Sequence, residues 1–75
     1  MKTRIKRVRI ITFNEDDMQM LRDLALDFTT QEKTINPLIL DEDYSNEIIS
    51  ILIDVDIKEG PHKDFIMEFI KELKR

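Results

Sequence analysis

Strict alternation of β-branched residues between Ile48 and Ile57 constrains this chain more than any other feature. Ile49, Ile51, Ile53, Val55 and Ile57 would fall on one side of an extended backbone, and Ile48, Ser50, Leu52, Asp54 and Asp56 on the other. Successive side chains of a strand point to opposite faces, so the pattern predicts a strand with one wholly apolar face. Isoleucine and valine favour that pleated surface. Glu59, Gly60 and Pro61 would end it. A strand this apolar belongs at the centre of a sheet.

The remaining elements are read in the same way. Arg4 to Phe13 carries Ile5, Val8, Ile10, Ile11 and Thr12 and no breaker, which predicts a first strand. Val8, Ile10 and Thr12 share one face, and Arg7, Arg9, Ile11 and Phe13 the other. Ile5 falls on the arginine side, so a bulge or a fray near Lys6 is expected. Asn14 reads as a helix N-cap, followed by Glu15, Asp16 and Asp17 in the first turn, where carboxylates suit the helix dipole. Met18, Leu21, Leu24, Ala25 and Phe28 then recur at spacings of three and four, which predicts an amphipathic helix ending near Thr29. Gln31 to Lys33 is polar connection. Ile35 to Leu40 is a second strand, placed at a sheet edge because Pro37 cannot donate a ladder hydrogen bond. Asp41 to Asn46 reads as a polar turn. Pro61 suits the first position of a last helix, whose buried stripe is Phe65, Ile66, Phe69, Ile70 and Leu73.

These elements give an α+β fold in the order β-α-β-β-α, as a single domain over residues 1–75. A right-handed crossover makes strands one and two parallel, and a short turn makes strands two and three antiparallel. The economical sheet has strand order 1-3-2, with two helices on one face against the Ile49 row. In element order it resembles a ferredoxin-like fold truncated before its last strand. The resemblance implies an architecture and no activity.

Composition narrows the function classes. A 75-residue chain buries only about 60% of its unfolded surface and needs an efficient core, a staple or a partner. It has no cysteine and one histidine. Disulfides and thiolate metal sites are therefore excluded, and no cofactor is expected. No segment approaches the ~20 apolar residues of a membrane span, and no apolar stretch follows the basic N-terminus as in a signal peptide, so a cytoplasmic protein is expected. His62 has no nucleophile to activate, and Ser45 and Ser50 lie in no motif, so enzyme activity is not expected. Asp41, Asp43, Ser45 and Glu47 alternate like the opening of a calcium loop. The loop's glycine position holds Asn46, however, and its closing glutamate position holds Leu52.

Surface chemistry is what remains. In the expected sheet, Arg7 and Arg9 lie beside Asp54 and Asp56 on the open face, together with Ile11, Phe13, Ile48 and Leu52. An apolar patch rimmed by charge marks an association surface. These eight residues are the expected interaction surface, and a homodimer through that face or a sheet edge is the expected assembly. Asp41, Glu42, Asp43, Tyr44 and Glu47 form a secondary acidic patch, with Tyr44 as its exposed aromatic anchor. The leading expectation is a small non-enzymatic protein–protein interaction module: an adaptor, inhibitor or regulator. A second is a nucleic-acid-associated module using Arg4, Lys6, Arg7 and Arg9, although the net charge of −4 disfavours it. A third is an acidic protein that occupies a nucleic-acid-binding site on a host protein. In size and charge the chain resembles inhibitors of that kind from phages and mobile elements.

Overall fold

The structure is a computed structural model that describes residues 1–24, 36–56 and 58–75. The expected helix end at Ala25 to Thr29, the connection Gln31 to Lys33, and Ile35 and Ile57 lie outside the described residues. The fold is α+β. Its elements are β1 (Lys2–Ile5), β2 (Arg9–Thr12), α1 (Glu15–Leu24), β3 (Leu38–Leu40), α2 (Glu42–Asp54) and α3 (Pro61–Leu73).

The first expected strand is a hairpin. Lys2 pairs with Thr12 and Ile5 with Arg9, and the chain reverses through Lys6, Arg7 and Val8. The Lys6 amide donates to the Val8 carbonyl at 3.1 Å to close that turn. The turn contains no glycine, proline or asparagine, so the usual reversal signals are missing and the segment reads as continuous. β3 then adds antiparallel to β2, pairing Arg9 with Leu40 and Ile11 with Leu38. The sheet order is β1-β2-β3, and the expected order 1-3-2 does not occur. β3 is an edge strand, as Pro37 requires. The Asn36–Pro37 peptide is cis. Asn36 extends the ladder with its side chain: its Oδ1 accepts from the Phe13 amide and its Nδ2 donates to the Phe13 carbonyl, both at 2.8 Å.

The expected central strand is also absent. Ile48 to Asp54 lie inside the helix α2. The Ile49 row therefore does not form a sheet face, and the ferredoxin-like expectation goes with it. The physical reason is a conflict between two periods. Ser45, Ile48 and Leu52 recur at spacings of three and four, and all three are buried. Asp41 starts the helix by accepting the Tyr44 amide on its Oδ1 at 2.7 Å. Glu42 and Asp43 follow in the first turn, where they favour the dipole. Isoleucine in a helix interior costs up to about 0.7 kcal/mol relative to alanine, so capping and packing must outweigh propensity here.

α1 and α3 follow the sequence closely. Asn14 Oδ1 accepts from the Asp17 amide at 2.8 Å, and Asp17 Oδ2 accepts from the Asn14 amide at 3.2 Å, a reciprocal cap. Leu21 faces the core. On α3, Phe65, Ile66, Phe69 and Leu73 are buried and Ile70 packs against them. Phe69 is the centre of the core. Its ring meets Phe13 edge-on at 5.4 Å and 71°, and Phe65 at 6.0 Å and 62°. Ile11, Leu21, Leu38, Leu40, Ile48 and Leu52 belong to the same cluster, so one core joins the sheet to α1, α2 and α3.

Two substitutions test this assignment. Asp41→Ala should cost about 1 kcal/mol of stability, read from thermal unfolding by circular dichroism, while Asp41→Asn keeps most of the cap. Phe69→Ala should cost about 3–5 kcal/mol, a large share of what a domain of this size has. If Asp41→Ala left the transition unchanged, α2 would not begin there.

Candidate interaction surfaces

The hairpin inverts the face assignment of β2. Ile11 and Phe13 turn inward and are buried, while Ile10 is half-buried and Thr12 exposed on the other side. Ile48 and Leu52 are also in the core. The four apolar members of the expected interaction surface are therefore interior residues, and they form no exposed patch. The open sheet face instead carries the cross-strand row Arg4, Ile10 and Ile39, beside the Lys2–Thr12 pair. Ile39 is exposed there.

The charged members separate as well. Asp54 and Asp56 are exposed at the end of α2 and just beyond it, where no strand exists for Arg7 and Arg9 to pair with. Arg7 is exposed at the hairpin tip. Arg9 points along the inner face to the end of α3, where Nη1 donates to the Leu73 carbonyl and Nη2 to the Arg75 main-chain oxygen. A cation there meets the negative end of the helix dipole, so Arg9 acts as a side-chain cap for α3. Beside it, the Thr3 hydroxyl donates to buried Glu72, and Arg75 Nη1 lies 3.6 Å from the same carboxylate oxygen. A polar seam thus clamps the last turn of α3 to the hairpin.

The acidic residues read as a turn lie along α2. Asp41 is occupied in capping, and Tyr44 is half-buried against the core, which removes the expected exposed anchor. Glu42, Asp43 and Glu47 are exposed on the first turns. Asp41, Asp43 and Glu47 follow a helix, so they do not encircle an ion as a calcium loop would. Among the described residues there is no group of three or more histidines or carboxylates arranged to hold a metal.

Several surface features result among the described residues. One is an open groove of about 690 Å³ between the hairpin tip, the start of α2 and the end of α3. Lys6, Arg7, Arg9, Lys74 and Arg75 line it, with Asp41 and Glu42 on the α2 side. Its apolar floor includes Val8, Leu40 and Ile49. Arg9 Nε and the hydroxyl of buried Ser45 also belong to groove residues, and neither atom has a hydrogen-bond partner. A second is a groove of about 380 Å³ between α2 and α3, lined chiefly by apolar side chains. A third is a depression on α1 bounded by Glu15, Asp16, Met18, Gln19 and Arg22. Asp41 and Glu42 at the start of α2 border the first groove, and Glu15 and Asp16 of α1 border the depression on α1.

The single histidine has a structural partner. His62 Nε2 lies 3.4 Å from Asp23 Oδ2 and ties the first turn of α3 to α1. The Gln19 amide, and then His62, hold the Asp23 carboxyl below its ordinary pKa. That favours the folded state at neutral pH and is lost as the pH falls through the lowered value. Both side chains are exposed, so the contribution is small.

No protein-family model matches the chain, and neither a curated protein nor a solved structure is significantly similar to it. Among the described residues no helix is long and apolar enough to cross a membrane.

The two arginines that look alike in sequence should behave differently. Arg9→Ala removes two charge-assisted bonds to the end of α3 and should cost about 1–3 kcal/mol in urea unfolding. Arg7→Ala at the exposed tip should stay within about 0.5 kcal/mol of the parent. Equal losses would remove the capping role of Arg9.

Proposed function

We propose that the protein is a small non-enzymatic interaction module that holds an acidic segment of a protein partner in the groove at the hairpin tip. The observation that carries this reading is the convergence of Lys6, Arg7, Lys74 and Arg75 on one groove. They come from opposite ends of the sequence, and the chain as a whole carries a net charge of −4. A local basic cleft in an acidic protein steers and orients an anionic partner.

The groove floor favours a peptide over a phosphate backbone. Val8, Leu40 and Ile49 offer apolar contact to side chains. Asp41 and Glu42 on the facing wall repel a polyanion but accept a basic or amide group on a peptide. Arg7 and Lys6 at the hairpin tip are the first contacts, and Lys74 and Arg75 close the far side. Arg9 is reserved for the α3 terminus.

One observation supports a second reading, nucleic-acid association. Lys2, Arg4, Lys6 and Arg7 are all exposed along β1 and its turn. Phosphate contact needs such a row, and the binding would weaken steeply with salt.

Fluorescence anisotropy separates the two. A labelled acidic peptide with interspersed apolar residues should bind, and a Lys6→Glu, Arg7→Glu, Lys74→Glu triple variant should lose roughly tenfold or more in affinity. A labelled single-stranded oligonucleotide at low salt should bind more weakly than the peptide. Tighter oligonucleotide binding with a steep salt slope would replace the first reading by the second. Equal binding by parent and triple variant would remove the groove from both.

A further inference from the structure

The groove between α2 and α3 lies apart from the basic cleft and shares no residue with it. Leu52 and Ile66 form its floor and are buried. Ile53 on α2 and Met67 on α3 line it as well, at 64% and 60% exposure. Ile70 continues the α3 wall one turn on. Two large apolar side chains this exposed, on neighbouring helices and over an apolar floor, form a continuous patch of the kind that soluble proteins cover by association.

The charges in this groove indicate what covers it. Asp56 and Lys63 both line it, one of each sign. We propose that the groove is the interface between two copies of this chain, with α2 and α3 of one copy packed across α2 and α3 of the other about a two-fold axis. A two-fold interface is self-complementary: if Asp56 meets Lys63 in one direction, Lys63 meets Asp56 in the other. A partner presenting a single sign of charge would satisfy one of them and oppose the other. Lys63 already holds Glu59 at 2.7 Å, but an ammonium group has three donors and can take a second carboxylate.

The packing follows from side-chain shape. Lys63, Met67 and Ile70 recur at spacings of four and three, so they form one ridge along α3. Met67 is unbranched and adaptable, suited to enter the partner's groove beside Ile53. Four helices then share one apolar layer. Such a layer supplies the staple that a short chain without cysteine otherwise lacks. It also relocates self-association from the sheet to the helices, and it leaves a basic cleft free on each copy.

Size-exclusion chromatography with light scattering, over a concentration series, tests the interface. The parent should approach twice the 9.0 kDa chain mass as concentration rises. Met67→Glu and Ile53→Glu, both at exposed helix positions, should remain monomeric while keeping the parent's circular dichroism. Asp56→Lys and Lys63→Glu should each raise the dimer dissociation constant roughly tenfold, and the double variant Asp56→Lys, Lys63→Glu should recover the parent value. That recovery depends on the exposed charges alone, so it stands even if an apolar-to-charge variant fails to fold. A parent that is monomeric at every concentration overturns the proposal. So does a dimer indifferent to Met67→Glu, or a double variant no better than the singles. Peptide binding by the monomeric variants is measured separately, so loss of the dimer and loss of the basic cleft are told apart.

Discussion

The edge-to-face contact between Phe69 and Phe13 organises this molecule. Among the described residues the sheet has three short strands, and its apolar face must be buried against another element. α3 provides that cover. Phe69 is fully buried, and Phe65, one turn earlier, also meets its ring edge-on. Aromatic pairs in this geometry add to the large area that each ring buries. Leu21 of α1 and Ile48 and Leu52 of α2 then pack into the same cluster. Because the last helix seats on the first hairpin, the fold is closed by residues more than fifty positions apart.

That closure also explains the polar chemistry around it. Once α3 lies on the hairpin, the carbonyls of its last turn come within reach of Arg9, and Glu72 comes within reach of Thr3. The basic tip residues Lys6 and Arg7 are brought beside Lys74 and Arg75 by the same docking. The charge cluster is thus a product of the tertiary fold. In the linear sequence its two halves lie at opposite ends: Lys6 and Arg7 read as part of a basic N-terminal segment, and nothing in the sequence joins them to Lys74 and Arg75.

Elements with a single dominant period were legible in the sequence. α1 and α3 have apolar residues at helical spacing with polar residues between, opened by the Asn14 cap in α1 and by Pro61 in α3; α3 lies where those signals place it, and α1 does so over its described residues, Glu15–Leu24. β3 was placed at an edge by Pro37. α2 reads as a strand in the sequence because its isoleucines satisfy a strand and a helix at once. The deciding residue is Asp41, whose role as an N-cap is hidden within a run of carboxylates that also looks like a turn. The hairpin is not legible because Lys6, Arg7 and Val8 carry no turn signature. That omission reversed the faces of β2, since a strand read in the wrong register exchanges its interior and exterior residues. The expected interaction surface inherited both errors. Ile11, Phe13, Ile48 and Leu52 were assigned to a surface because the elements bearing them were assigned wrongly.

The doubled periodicity of α2 has a consequence for how this chain must reach its native state. A segment with four isoleucines between Ile48 and Ile53 is, when extended, an aggregation-prone strand with low local charge. Folding it as a helix conceals that propensity only while the helix holds. The safeguard is local and early: Asp41, Glu42 and Asp43 stand just ahead of the run, and Asp54 and Asp56 just after it. They act as gatekeepers while the segment is unfolded, and the first three start the helix once it forms. The same carboxylates that look like a binding patch therefore guard the chain against its own most strand-like sequence.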